Sequence, residues 1–149
     1  MILLVHLLFG ALIGQKVASP FLAIILAFLS HYFLDLFPHI EYNIDKISTK
    51  QWKSAKSQIM SVLIDFFSGF SLILLFSDNR PSVFICAFFA ILPDGLSLLE
   101  LVFKSKILRK HSKLHQEKIH FLKNKKFSVF WRIASQALAV IISLILFKI

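Results

Sequence analysis

Long apolar stretches follow one another along this chain, and they constrain its fold more than any other feature. The windows are residues 2–14, 21–37, 59–76, 83–103 and 127–147. A helix rises about 1.5 Å per residue, so about 20 apolar residues reach across a bilayer core of about 30 Å. The last four windows approach that length. The first is shorter, which suits a tilted or partly re-entrant helix paired with the second through a turn at 15–20. It carries His6 and lacks the basic leader of a signal peptide, so it reads as part of the fold. Hydrophobic residues make up 57% of the 149 positions, 17 of them Phe, well above the roughly 45–50% of soluble domains. The expectation is one all-α integral-membrane domain over residues 1–149, a helical bundle of about five spans.

Pro20 and Pro81 open the second and fourth windows, where a missing N–H costs little. Between the second and third, residues 44–58 mix Ile44, Ile47 and Trp52 with Lys46, Lys50, Lys53 and Lys56. That pattern predicts an amphipathic helix on the headgroups, with a solvated loop as the alternative. The one cysteine, Cys86, reads as a buried inert thiol.

Basic residues divide unevenly between alternate loops. Lys46, Lys50, Lys53 and Lys56, with Lys104, Lys106, Arg109, Lys110, Lys113, Lys118, Lys123, Lys125 and Lys126 of the loop 104–126, fall on the side of the N-terminus. Lys16, Arg80 and Lys148 fall opposite. The positive-inside rule then puts the N-terminus in the cytoplasm and the C-terminus outside. The formal charge of +9 is explained by topology and by contact with anionic lipid. Nucleic acid is not expected as a partner, because no base-stacking platform accompanies the basic loop.

Within this apolar background, His31-x-x-x-Asp35-x-x-Pro38-His39 stands out. An ionisable side chain in mid-span costs roughly 2.5–3.5 kcal/mol on insertion scales and marks a functional site by default. His6, Asp65 and Asp94 are also intramembrane, Glu100 follows Asp94, and all fall toward the same side as His31 and Asp35. His111, His115 and His120 sit in the basic loop. Positions four apart share one helix face, so His31 with Asp35, and His111 with His115, are spaced to share an ion. Imidazole and carboxylate donors suit Zn²⁺, Mn²⁺ or Fe²⁺, with Zn²⁺ or Mn²⁺ favoured over Mg²⁺, and the spread of ligands can hold two ions as in metal-assisted phosphoester hydrolysis. Pro93 and Gly95 around Asp94 predict a loosened helix with a freed carbonyl near Phe89.

A faint repeat links the two halves. His6 and Asp65 each precede a glycine by four positions, at Gly10 and Gly69, and Ala27 to His31 aligns with Ala90 to Asp94. A duplicated two-helix hairpin would bring His6, His31, Asp65 and Asp94 together near one axis.

The opening from Val5 to Gly14, the phrase from Leu29 to His39 and the phrase from Ala90 to Asp94 resemble a bacterial family of small integral-membrane metal-dependent hydrolases, the LexA-binding inner-membrane type. A neighbouring group with the His-x-x-x-Asp-x-x-Pro-His phrase is the alternative. The resemblance covers the first four windows and implies a polytopic inner-membrane protein that uses a divalent metal for hydrolysis. The chain departs from the family in size and in lacking a further acid beside Asp94. The expected ligands are His6, His31, Asp35, Asp65 and Asp94. His39, His111 and His115 are expected to complete the shell or act as general acid or base around a metal-activated water. An amphiphilic anionic substrate, such as a lipid phosphate, suits a site at leaflet depth rimmed by Lys and Arg. The rival classes are a metal-ion or proton transporter, which needs polar residues continuing to the opposite face, and a non-catalytic scaffold.

Overall fold

The computed structural model describes residues 1–103, 105–119 and 127–149, which fold into helices with no strand among the described residues. In chain order these are α1 (Leu3–Lys16), α2 (Pro20–Asp35), the single turn α3 (Asp45–Ser48), α4 (Lys56–Phe76), α5 (Pro81–Val102), α6 (Lys106–Leu114), a π-helical turn (His115–Ile119) and α7 (Val129–Lys148). Three of them, α4, α5 and α7, are long and apolar enough to cross a membrane, while α1 and α2 are apolar but shorter. Their outer faces carry bare hydrophobic side chains, such as Leu63, Ile64 and Phe67 on α4 and Ile133, Leu138 and Ile141 on α7. A contiguous surface of that kind requires lipid rather than water as its solvent.

The shortest of the apolar helices, α1, lies at the centre. It packs on α2, α4, α5 and α7, and Val5, Leu7, Leu8, Ala11 and Leu12 are buried there. Being surrounded by protein, α1 does not need the full thickness of a bilayer. Small residues set the spacing. A Cβ on Gly10 would lie 2.7 Å from the Cys86 carbonyl oxygen, and one on Gly14 would lie 2.9 Å from the Val83 Cα. The backbones of α1 and α5 therefore approach as closely as glycine permits, the usual device where lipid gives no hydrophobic drive to helix association. Ala23 and Ala27 of α2 meet Cys86 and Ala90 of α5 in the same way.

The amino end of α1 would leave unsatisfied N–H groups in a low-dielectric setting. Three elements supply acceptors: Gln136 Oε1 for Ile2 N at 3.3 Å, the Tyr42 hydroxyl oxygen for Leu3 N at 3.1 Å, and Asp65 Oδ2 for Leu4 N at 2.8 Å. At the opposite end of the bundle, Gln15 Nε2 donates to the Phe147 carbonyl at 3.0 Å and Arg80 pairs with Asp78.

The pattern of windows is reproduced, with local differences. Residues 44–58 do not form an amphipathic helix: only Asp45–Ser48 is helical, Lys50 turns the backbone at φ 58°, and Lys56 already begins α4. Trp52 is exposed. The expected break at Pro93 is absent, since α5 runs unbroken from Pro81 to Val102. Pro20 and Pro81 do occupy first helical positions. The basic loop contains α6, which rests on α5 and is tied to it by Arg109 and Glu100 at 3.7 Å. Lys104, His120, Lys123, Lys125 and Lys126 lie outside the described residues.

Candidate metal centre

Close approach of α1 and α2 to α5 places four ionisable residues side by side. His6 projects from the first turns of α1, His31 and Asp35 from the last turns of α2, and Asp94 from α5. His115 joins them from the junction of α6 with the π turn, a form of helix that recurs at functional sites. His6, His31, Asp35 and His115 are buried, and the Asp94 side chain is 31% exposed.

The geometry centres on a triangle. Asp35 Oδ2 lies 3.1 Å from His31 Nε2 and 3.1 Å from His115 Nε2, and the two imidazole nitrogens are 3.1 Å apart. Asp94 Oδ1 lies 3.6 Å from His31 Nε2. A tetrahedral ion with bonds of about 2.0–2.2 Å spaces its ligand atoms about 3.3–3.6 Å apart, close to these edges. The tautomer of His31 strengthens the point. Its Nδ1 is 2.7 Å from the Ala90 carbonyl, which can only accept, so Nδ1 carries the proton of the neutral ring. Its Nε2 lone pair then faces His115 Nε2, with Asp35 Oδ2 at the same 3.1 Å and Asp94 Oδ1 at 3.6 Å. Either a proton on His115 Nε2 or a cation between the three atoms satisfies such distances, and a carbonyl on the remote nitrogen is the usual support of a ligating histidine.

A second group shares His31: His6, His31 and Asp94 offer ligand atoms within 4.8 Å of one another, as do His31, Asp35 and His115. His6 is the clearest anomaly. It is fully buried, its Nε2 is 3.3 Å from Asp35 Oδ1, and neither ring nitrogen makes a hydrogen bond among the described residues. A buried polar group left unsatisfied costs about 1–3 kcal/mol.

Not every expected ligand joins the cluster. Asp65 belongs to neither group. Its carboxylate accepts from Leu4 N and from the Tyr42 hydroxyl, so it anchors the start of α1. The convergence implied by the repeat therefore holds for His6, His31 and Asp94 and fails for Asp65. His39 lies just outside, with Nε2 3.8 Å from Asp35 Oδ1 and 3.3 Å from Glu41 Oε1. His111 does not share an ion-binding group with His115; its Nε2 is 2.9 Å from the Tyr32 hydroxyl. Burial, reinforced by the neighbouring His115 and His31, holds its pKa below the usual histidine value. Glu100 is committed to Arg109.

Sequence reasoning missed the two tyrosines. Among 17 Phe the chain has only Tyr32 and Tyr42, and each hydroxyl bonds an ionisable side chain of this region, His111 and Asp65. A hydroxyl added to a ring in so Phe-rich a chain was the available signal. Met1, whose α-ammonium bonds Asp35 Oδ1, carried no such signal.

Two cavities give access. One of about 350 Å³ reaches Asp94 and Ser97 and is walled by Leu3, Val62, Leu98 and Leu101. Another of about 320 Å³ reaches Asp35, His39, Glu41 and Arg132. Both open at the end of the bundle that holds the 36–55 loop. No family model, curated protein or solved structure matches this chain.

Proposed function

We propose that this chain is a metal-dependent hydrolase of the bacterial inner membrane, with one divalent ion held by His31, Asp35 and His115 and approached by Asp94. The observation that carries the reading is the 3.1 Å triangle of His31 Nε2, Asp35 Oδ2 and His115 Nε2, with the His31 proton held on Nδ1 by the Ala90 carbonyl so that its Nε2 lone pair is turned into the triangle. Nitrogen and carboxylate donors favour Zn²⁺ or Mn²⁺ over Mg²⁺. An ion there supplies polarisation of an ester or phosphoester and activation of water near neutral pH. The LexA-binding inner-membrane hydrolase type is the family this reading assigns, on the phrases around His31 and Asp94.

The substrate we assign is an amphiphile with an anionic head. The 350 Å³ cleft combines an apolar wall with Ser97, Ser112 and Asp94, and its size falls at the small end of ligand sites. Lys46, Lys50, Lys53, Lys110 and Lys113 lie at the same end of the bundle and suit anionic headgroups. Exposed Ile107 and Leu114, two turns apart on α6, give it an apolar edge with which to lie on that surface, and exposed Phe103 at the end of α5 lies just before it. The cleft itself is lined by Glu41, Asp45 and Asp94, so the bound cation is what makes it attractive to an anion. With five spans and a cytoplasmic N-terminus, the orientation that the loop charges favour, the site would face the cytoplasm. Beneath the site, Ala23, Ala27, Cys86 and Ala90 close the α2–α5 contact with apolar groups. That closure favours a one-sided pocket over a conduit.

The test has two steps. Elemental analysis of protein purified in detergent should find Zn²⁺ or Mn²⁺ retained after dialysis and lost in His31→Gln. Lipid phosphates offered with either ion should then be hydrolysed by wild type and not by Asp35→Asn. Equal, negligible metal in wild type and His31→Gln would defeat the metal reading. Retained metal without hydrolysis of any ester or phosphoester would defeat the enzymatic one.

A further inference from the structure

The proposed single ion leaves His6 unexplained. Its ring is stacked on that of His31, with centroids 4.0 Å apart and planes 23° from parallel. An imidazole binds a metal through a lone pair in its own ring plane. The two rings are nearly parallel and each brings its Nε2 to a different oxygen of Asp35, so an ion in the plane of one ring lies off the plane of the other. Two ions, one per ring, would be spaced on the scale of the 4.0 Å ring separation, which is comparable to two-metal hydrolytic sites.

Asp35 is placed to join them. Oδ2 faces His31 and His115 at 3.1 Å each, whereas Oδ1 faces His6 Nε2 at 3.3 Å and His39 Nε2 at 3.8 Å. Each carboxylate oxygen thus faces its own pair of imidazoles, and the pair on Oδ1 is the more open, since only the set on Oδ2 has all its ligand atoms within 4.8 Å of one another. His39 repeats the pattern of His31: its Nδ1 is 2.6 Å from the Phe37 carbonyl, which fixes the proton there and turns the Nε2 lone pair to Asp35 and to Glu41 Oε1 at 3.3 Å. The cavity bordered by Asp35, His39 and Glu41 gives this side its own access. Met1 already places an ammonium against Oδ1, so that oxygen draws positive charge, and a divalent ion must displace the ammonium.

We infer that Asp35 bridges two divalent ions, the first on His31 and His115 through Oδ2 and the second on His6 and His39 through Oδ1, with Glu41 beside the second. This rests on the metal-centre reading above and adds a site to it. The second ion has an all-nitrogen-and-carboxylate shell, so the same metals suit both positions.

Mn²⁺ alone is the probe. Full-length protein in detergent, stripped and reloaded, should bind two equivalents and give the spin-coupled paramagnetic resonance of a close pair. His39→Gln, a change at the half-buried mouth of the bundle, should bind one equivalent with the spectrum of an isolated ion. His6→Gln should do the same, and Asp35→Asn should bind neither tightly. Circular dichroism confirms that each variant is folded, and His39→Gln keeps the test valid if His6→Gln does not fold. One equivalent in wild type, unchanged by His39→Gln, overturns the second site and leaves the first standing. No bound Mn²⁺ in wild type overturns both.

Discussion

Gly10→Ala is the substitution that most directly tests how packing builds the site. The added Cβ would lie 2.7 Å from the Cys86 carbonyl oxygen and 3.2 Å from the Ala87 Cα, and it would also meet the Ala90 Cβ, where ordinary contact starts at 3.4 Å. The first two obstacles are backbone atoms of α5, which cannot swing aside as a side-chain tip can. The helices must separate by about 0.7 Å or more, an overpacking cost of typically about 1–3 kcal/mol. Because His6 lies one turn before Gly10, the same movement draws it off His31 and Asp94. Metal affinity should fall roughly 10–100-fold, the effect usual for a disturbed supporting shell. Gly95→Ala is the control: no atom lies within 4 Å of its added Cβ, and better helix propensity should leave stability equal or raised by up to about 1 kcal/mol. Unfolding by denaturing detergent in mixed micelles, followed by circular dichroism, measures the first quantity, and chelator competition measures the second. If Gly10→Ala unfolds within about 0.5 kcal/mol of wild type, the close α1–α5 contact does not set the bundle, and the reasoning fails.

Asp65→Asn should cost about 1–3 kcal/mol, because it weakens charge-assisted bonds to Leu4 N and the Tyr42 hydroxyl; detergent unfolding should show that loss while metal content stays at the wild-type level. The Tyr42 phenol is held well above its usual pKa, by burial first and by Asp65 next. A raised folded pKa gives stability that is complete below the unfolded value of about 10 and lost as pH rises beyond it. Thermal melts across that range should show the decline, and Tyr42→Phe should remove its contribution. His115→Gln, which withdraws one corner of the triangle, should weaken metal binding by at least about 100-fold in chelator competition, more than a supporting residue would.

Local spacing made part of the site legible. His31 and Asp35 are four apart on one helix, so their contact needs no knowledge of the fold, and the cost of burying them flags both. Asp94 and His6 were legible as charges in apolar surroundings, since α1 and α5 do bring them to His31. The same reasoning misassigned Asp65, because burial of a carboxylate does not reveal whether a metal or a helix end will use it. Three amides without an intrahelical partner at the start of α1 supplied the competing demand. For His111 and His115, the i,i+4 rule identified a shared face but not its neighbour. The α6 helix ends in a π turn that carries His115 into the bundle and leaves His111 with Tyr32. At Pro93 the break did not occur, because α5 continues through it, and Ala90, three residues earlier, offers its carbonyl to His31. The 44–58 segment failed as a helix where Lys50 adopts a left-handed backbone.

X-ray absorption of the Zn²⁺-loaded protein tests the central claim most directly. The account predicts a shell of nitrogen and oxygen at about 2.0–2.2 Å with the outer-shell scattering of at least two imidazoles and no sulfur at about 2.3 Å, and loss of the imidazole signal in His31→Gln. A shell of oxygens alone, the same in wild type and variant, would contradict it.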